Sequence, residues 1–202
     1  REPSSSKDYD GDGDAEEGVY YEVEGLKDAL YAALQAFASD AGSPIAYEAH
    51  TYPYFFADGN GDGEAGEDEA NYGNSFKGWT PRLLKAAYNY QVSMKDPGGY
   101  AHGGKYIIQL LYDSIEDLGG DVSMMHRDDA GHFDASSEAW RHWDEDGEVP
   151  ASCAKCHSAE GLPQLAMEGV VTSAETSSGL LCESCHNTAE WPALYAFEAT
   201  TS

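Results

Sequence analysis

Two pentapeptides in the C-terminal part of the chain decide its fold: Cys153-Ala154-Lys155-Cys156-His157 and Cys182-Glu183-Ser184-Cys185-His186. Each has the C-x-x-C-H pattern of a c-type haem attachment site. In such a site the two thiols form thioethers with the porphyrin, and the histidine that follows is the proximal ligand of the iron. All four cysteines of the protein belong to these motifs, so none remains for a disulfide. The sequence therefore predicts two covalently bound haems.

A zinc site is the competing interpretation, because two C-x2-C pairs can hold zinc in a tetrahedral cage. However, the spacer between Cys156 and Cys182 is longer than the usual zinc-ribbon interval. Each pair is also followed directly by a histidine, although only 7 of the 202 residues are histidine. By composition alone this would happen for both pairs roughly once in a thousand sequences. The haem interpretation is therefore preferred, and disulfides are favoured less than zinc.

The composition is that of a folded protein. Hydrophobic residues make up 41% of the chain and aromatic residues 12%, which argues against a disordered tail. No apolar run approaches the ~20 residues that span a bilayer. The chain begins at Arg1 without a signal-peptide pattern, and we interpret it as a processed chain or a fragment of a longer one. Because thioether attachment of haem takes place outside the cytoplasmic membrane, we expect a periplasmic or extracellular location.

The charge is strongly negative, with 37 acidic side chains against 11 basic ones and a net charge of -26. Such a surface repels nucleic acid and anionic membranes and favours basic partners and cations. Much of the excess lies in two short runs, which points to metal binding.

The second acidic run, residues 58–69, matches the calcium-loop pattern D-x-[DN]-x-[DN]-G-x5-E at every specified position. Side-chain oxygens would come from Asp58, Asn60 and Asp62, a backbone carbonyl from Glu64, and a bidentate carboxylate from Glu69. No flanking helix is evident on its N-terminal side, so we predict an EF-hand-like loop. Extracellular calcium modules have Kd values on the order of 0.1–1 mM, which suits a structural role.

The first acidic run, residues 8–17, has oxygen ligands at alternate positions and a glycine at the sharp turn. The candidate ligands are Asp8, Asp10, Asp12 and Asp14. Position 12 of this loop is Val19 and not a glutamate, so we expect Glu16 or Glu17 to supply the missing carboxylate, with Glu17 as the candidate. A solvated acidic turn is the alternative. The two runs together predict two calcium ions.

Three amphipathic helices are predicted in the first part of the chain. The first covers residues 26–39. Thr80, as N-cap, and Pro81 open the second, which ends at Asp96. The third covers roughly residues 105–118 and is closed by Gly119. The second and third form an antiparallel hairpin. Their buried stripes are expected at Leu83, Leu84, Ala87, Tyr88 and Val92, and at Ile107, Ile108, Leu111 and Ile115.

The predicted fold class is mainly α: a helical dihaem cytochrome c domain with long loops, EF-hand-like calcium loops and little β structure. We divide it into a calcium-loop-bearing helical region, residues 1–120, and a dihaem region, residues 121–202. We expect the two regions to pack as one unit.

Three stretches near the first motif carry a family resemblance: Gly131-His132-Phe133-Asp134, Glu138-Ala139-Trp140-Arg141-His142-Trp143-Asp144, and Val149-Pro150-Ala151-Ser152-Cys153-Ala154-Lys155-Cys156-His157-Ser158. Together with the second motif, which continues to Asn187, they resemble a segment of bacterial and archaeal multihaem c-type cytochromes. The resemblance covers residues 125–190. The acidic loops and the low haem count depart from the family's pattern.

The resemblance implies that each iron has two histidine ligands. We therefore expect His132 and His142 as distal ligands, with His102 as the third candidate. His50 and His126 are expected to be structural, and His50 to pack in the core. Methionine is the rival distal ligand, and it would raise the reduction potential. Its candidates are Met124, Met125 and Met167.

An iron with two imidazole ligands is saturated, which favours outer-sphere electron transfer over substrate binding. We therefore predict an electron-transfer protein that is not an enzyme, with redox proteins or like subunits as partners. The alternative is a subunit of an extracellular filament in which haems of adjacent subunits stack, although the acidic surface opposes assembly. A haem enzyme would need an open iron site, and no signature of one is present.

Overall fold

The computed structural model describes residues 7–101, 103–127, 136, 147–151, 153–154, 158, 161–170, 172, 174–175 and 186–190. The chain divides into two compact units, Arg1–Asp129 and Ala130–Ser202. The first unit contains α1 (Val19–Asp40), β1 (Ile45–Tyr47), β2 (Phe55–Ala57), α2 (Pro81–Lys95) and α3 (Gly104–Leu118). The second contains β3 (Glu148–Val149), α4 (Gly161–Glu168) and β4 (Ala174–Glu175). The mainly helical fold with little β structure is confirmed for the described residues, whereas the packing of the two regions as one unit stays a prediction.

Helix α1 is the centre of the first unit. Its leucines Leu26, Leu30 and Leu34 are fully buried, because residues four apart lie on one face of an α-helix. That face packs against both α2 and α3. The helix begins at Val19, seven residues before the predicted start, and the added turns bury Glu22 and Val23.

The helical hairpin of α2 and α3 is confirmed. The hydroxyl of Thr80 accepts a hydrogen bond from the N–H of Leu83 at 3.2 Å, as expected of an N-cap. The side chain of Asn89 donates to Ser114 at 2.9 Å, and earlier on α2 the ammonium of Lys85 pairs with Asp117 at 2.9 Å. Contacts that run forward on one helix and backward on the other make the pair antiparallel.

The predicted buried stripe of α2 was wrong at Leu84 and Tyr88, and Val92 is only half-buried. Leu84 and Tyr88 are 53% and 69% exposed. The buried face instead carries Leu83, Ala86, Ala87, Tyr90 and Ser93. Small residues at this face allow close approach to the rest of the core, and Tyr90 stacks on Tyr31 of α1 at 5.4 Å between ring centroids. The stripe of α3 is buried as predicted.

A two-stranded sheet places the second acidic run. Strands β1 and β2 pair antiparallel, with Ala46 opposite Phe56. Asp58 follows β2 directly, and its N–H donates to the carbonyl of Pro44 at 3.1 Å. The loop that begins at Asp58 is therefore anchored at the end of a paired strand. In the second unit β3 pairs antiparallel with β4, with Val149 opposite Ala174.

Two histidines expected to be structural lie at the surface. His50 and His126 are both exposed, so the expected core packing of His50 was wrong. Phe55 and Phe56, at the end of the aromatic segment that begins at His50, are buried in the core. The part of the segment before them lies nearer the surface.

None of the helices within the described residues is both long enough and apolar enough to cross a membrane.

Candidate cofactor and metal sites

The described residues include Cys153 and Ala154 of the first haem motif and His186 of the second. Cys153 lies in a helical turn and is half-buried, and its N–H donates to the carbonyl of Pro150 at 2.8 Å. His186 is half-buried. The donor set of two thiols and one imidazole per motif fits a c-type haem.

Most of the other predicted haem residues lie outside the described residues: Cys156, His157, Cys182, Cys185, His102, His132 and His142. The three rival methionines are described. Met125 packs against the core of the first unit, whereas Met124 and Met167 are 72% and 76% exposed. The core contacts of Met125 make it the least suitable methionine ligand.

The second acidic run forms a loop held by its own side-chain-to-backbone hydrogen bonds. Both oxygens of the Asp58 carboxylate accept backbone hydrogen bonds, from Gly61 at 2.6 Å and from Gly63 at 3.0 Å. The side chain of Asn60 accepts from the N–H of Asp62 at 2.8 Å. Gly61 and Gly63 have φ angles of 77° and 82°, which favour glycine. These turns direct the side chains of the loop inward.

Glu69 closes this loop from its C-terminal end. Its Oε1 accepts from the N–H groups of Gly59 at 2.7 Å and Asn60 at 3.2 Å, while Oε2 is buried and has no hydrogen-bond partner among the described residues. Carboxylate oxygens of Asp58, Asp62 and Glu69 all lie within 4.8 Å of one another. The structure therefore brings these three predicted ligands together.

Helix α1 supports the second loop from outside. The hydroxyl of Tyr31 and the amide of Gln35 both donate to the carbonyl of Gly63, at 2.8 and 2.7 Å. The loop is thus tied to the same helix that organises the core.

The first acidic run has the same internal hydrogen bonds. The Asp8 carboxylate accepts from Gly11 at 2.6 Å and from Gly13 at 2.9 Å. The Asp10 carboxylate accepts from the N–H of Asp12 at 3.1 Å, and that of Asp12 from the N–H of Asp14 at 2.7 Å. Each of these bonds has a counterpart at the same position of the second loop. Two stretches fifty residues apart in sequence therefore fold as the same loop.

Glu17 is one of two glutamates in the first cluster. Its carboxylate groups with those of Asp10 and Asp12, within 4.8 Å. Burial raises the pKa of Glu17, as do the negative charges of Asp10 and Glu22. Burial likewise raises the pKa of Asp10 to about 6; the hydrogen bond from the N–H of Asp12 lowers it, and the negative charges of Asp12, Glu22 and Asp8 raise it. The cluster concentrates negative charge that a cation would relieve.

Glu22 is the second glutamate, and sequence reasoning missed it. It lies on the first turns of α1, and its carboxylate groups with those of Asp8 and Asp10 within 4.8 Å. Its Oε2 accepts from the N–H groups of Tyr9 at 2.6 Å and Asp10 at 3.3 Å. The loop pattern ends three residues earlier, at Val19, so only the early start of α1 could have signalled this residue.

Comparisons with known proteins give partial matches to proteins of Geobacter sulfurreducens. C-type polyheme cytochrome OmcB, from strains DL-1/KN400 and ATCC 51573, is 34% identical over 94 residues. C-type polyheme cytochrome OmcC of the latter strain is 35% identical over 94 residues. Each match covers 42% of this chain and 12% of the relative, so the chain corresponds to a small part of either cytochrome.

No family model matches the chain, and no solved structure matches it. Both names describe c-type cytochromes that carry several haems. The chain is thus similar, over part of its length, to polyheme c-type cytochromes, which supports haem c and electron transfer.

Proposed function

We propose that this chain is an electron-transfer protein that carries two covalently bound c-type haems. The observation that carries the proposal is the pair of C-x-x-C-H motifs, which account for all four cysteines. The similarity to OmcB and OmcC supports it separately. A bound haem supplies one-electron chemistry at its iron. The residues of the chain attach it, complete its axial ligation and limit the access of water.

Both irons are held between two histidines in this proposal. His157 and His186 are the proximal ligands, and His132 and His142 are the distal ones, with His102 as the reserve. The arrangement leaves no open position, so it serves electron exchange and not substrate binding. The multihaem resemblance of residues 125–190 supports it.

Paired cysteine variants test the haem count. We expect the Cys153→Ser/Cys156→Ser protein and the Cys182→Ser/Cys185→Ser protein each to retain one haem that resists acid–acetone extraction. A matched Ser158→Ala variant should retain two. Loss of both haems from a correctly folded variant, or retention of two, would contradict one haem per motif.

Visible spectroscopy and carbon monoxide test the ligation. The oxidised and reduced spectra should be low-spin and lack a methionine–iron charge-transfer band. Carbon monoxide should bind the reduced protein poorly, because both positions of each iron are filled. A high-spin component that binds carbon monoxide readily would instead support a haem enzyme.

The two acidic loops hold one calcium ion each, and the bound ions stabilise the first unit. Their oxygen-only ligands are those that calcium prefers, and the cluster of Asp58, Asp62 and Glu69 has the required convergence. We expect the Glu69→Gln protein to bind one calcium ion fewer than the wild type, counted by equilibrium dialysis. Glu67→Gln, an exposed change in the same loop, should leave the count at two. An unchanged count in Glu69→Gln would contradict the second site.

The protein works outside the cytoplasm, where thioether attachment occurs, and exchanges electrons with other redox proteins. Its net charge of -26 favours partners with a basic face. Electron transfer with such a partner should slow as salt is added, because screening weakens the attraction. An unchanged rate between low and high salt would count against a basic partner.

A filament subunit is the alternative form of the same function. The chain has five histidines outside the two motifs. Those that do not bind its own haems could be ligands to a haem of a neighbouring subunit. The negative charge opposes this assembly unless calcium offsets it. Negative-stain imaging with calcium and with a chelator would show filaments in at least one condition if this alternative holds, and separate particles in both if it does not.

A further inference from the structure

We propose that Glu22 of helix α1 closes the first calcium site, so that this site joins the acidic loop to the central helix. The inference rests on the proposed calcium role and adds a ligand that lies outside the loop pattern.

The burial of Glu22 favours a cation-binding role for its carboxylate. Its side chain is 0% exposed, and Oε1 has no hydrogen-bond partner among the described residues. Within the same part of the chain, no basic side chain forms a salt bridge with it. A buried carboxylate without a counter-charge is strongly unfavourable. A divalent ion between Glu22, Asp8 and Asp10 would supply that charge.

The second loop shows where such an ion would lie. Glu69 accepts hydrogen bonds from the N–H groups at loop positions 2 and 3, and its other oxygen is buried and unpaired. Glu22 accepts from positions 2 and 3 of the first loop, at Tyr9 and Asp10, and also keeps one buried unpaired oxygen. Each glutamate therefore has the same relation to its loop, although Glu22 belongs to a helix.

Gly25 gives a third, steric argument. A Cβ atom built at this helical position would lie 1.7 Å from Oδ2 of Asp10. Glycine inside a helix costs stability relative to alanine, and here it lets the Asp10 carboxylate lie directly against α1. Helix α1 thus contributes an acidic ligand, and its glycine leaves the space that the loop needs to pack against it.

The ligand set selects calcium. Two groups of three carboxylates share Asp10, one with Asp8 and Glu22 and the other with Asp12 and Glu17, and the oxygens of each group lie within 4.8 Å of one another. The backbone carbonyl of Asp14 corresponds in loop position to that of Glu64 in the second loop. Six to eight oxygens with no sulfur or nitrogen suit calcium. Magnesium prefers fewer protein ligands and retains its water.

Closure by Glu22 would also order the end of the first unit. Tyr9 is buried in the core, and its carbonyl accepts from the N–H of His126 at 3.2 Å. An atom added at Gly11 would meet the backbone of Met124 at 3.0 Å. The loop therefore packs between α1 and residues 124–126, close to the end of the unit.

Calcium titration of the haem-loaded full chain in the Glu69→Gln background tests the assignment, because only the first site remains there. We expect one ion per chain by calorimetry. Adding Glu22→Gln should weaken that site more than about tenfold, since a charged ligand is lost. Adding Glu24→Gln, on the same helix but 43% exposed and paired with Lys27, should leave the affinity unchanged.

Gly25→Ala provides a second variant that removes no carboxylate. It should also weaken the first site more than about tenfold, because Asp10 must move away from α1. Retained helical circular dichroism would show that either variant is folded. Wild-type affinity in both variants would overturn the role of Glu22. A wild-type protein that binds no calcium at all would overturn the proposed calcium role itself, and a protein that binds only at Glu69 would overturn the first site.

Discussion

The two acidic loops of this protein share a fold but differ in how they are closed. In both, the first aspartate accepts hydrogen bonds from two glycine N–H groups, and those glycines have positive φ angles. The second loop is closed by Glu69, eleven residues after Asp58 and within the loop pattern. The first is closed by Glu22, fourteen residues after Asp8 and on helix α1.

The difference shows that the backbone of such a loop and the carboxylate that closes it are separable. The six residues from Asp8 to Gly13 fix the turn geometry by local hydrogen bonds alone. The closing carboxylate needs only to reach the N–H groups at positions 2 and 3, and a helix packed beside the loop can present it. A loop that lacks the glutamate at position 12 can therefore still be closed by a carboxylate from outside the loop pattern.

Calcium removal should have the largest effect, because it acts on both loops. A ligand at 100 times its Kd stabilises the folded state by about 2.7 kcal/mol per site, so two sites contribute roughly 5 kcal/mol. Denaturant unfolding of the first unit, followed by circular dichroism with and without chelator, measures this loss. Identical unfolding midpoints would refute both sites at once.

Leu30→Ala should have the next largest effect on the free energy of unfolding. It should destabilise the calcium-bound and the calcium-free protein equally. Leu30 is fully buried in α1, and truncating a buried leucine costs about 2–5 kcal/mol. Its cavity lies in the core and not in either loop, so the loss should add to that of calcium removal. Unfolding curves of the single and combined perturbations give the test, and strong non-additivity would show that calcium acts through the core.

Tyr31→Phe should affect the second loop alone. The lost hydroxyl donates to Gly63 and accepts from the N–H of Tyr47 at 3.0 Å, and a hydrogen bond of this kind contributes about 1 kcal/mol. The second site should therefore bind calcium about fivefold more weakly, with the first unchanged. Tyr88→Phe, at an exposed tyrosine, is the control. Equal weakening of calcium binding at both sites would contradict the conclusion that Tyr31 supports the second loop alone.

Thr80→Ala should have the smallest effect on stability, and it should leave calcium binding at both loops unchanged. It removes the N-cap of α2, whose hydrogen bond to Leu83 measures 3.2 Å, at a cost of about 1 kcal/mol. Calcium titrations of the variant should match the wild type at both sites. Any change in calcium affinity would reveal coupling through α2 that the contacts do not suggest.

The sequence was sufficient wherever the determinants are local. The second loop, the Thr80 cap and the Gly119 closure depend on residues within one turn or one short pattern, and all three have the expected geometry. The predicted haem attachment is local in the same sense, because Cys153, Cys156 and His157 lie within one pentapeptide.

Where the outcome depends on packing, the sequence was insufficient. Glu22 closes the first loop only because α1 lies beside it, and Leu84 is exposed because α2 turns a different face to the core. The distal histidines are the same kind of problem, since any ligand that reaches an iron across the fold is set by tertiary structure. His132 and His142 therefore remain predictions.

The haem content of the intact chain tests the central claim most directly. After acid–acetone extraction, the pyridine haemochrome of a weighed sample should show two haems per chain, since thioether bonds survive the extraction. The reduced-minus-oxidised spectrum of the same preparation should be low-spin. A colourless protein that contains zinc at its four cysteines would contradict the account.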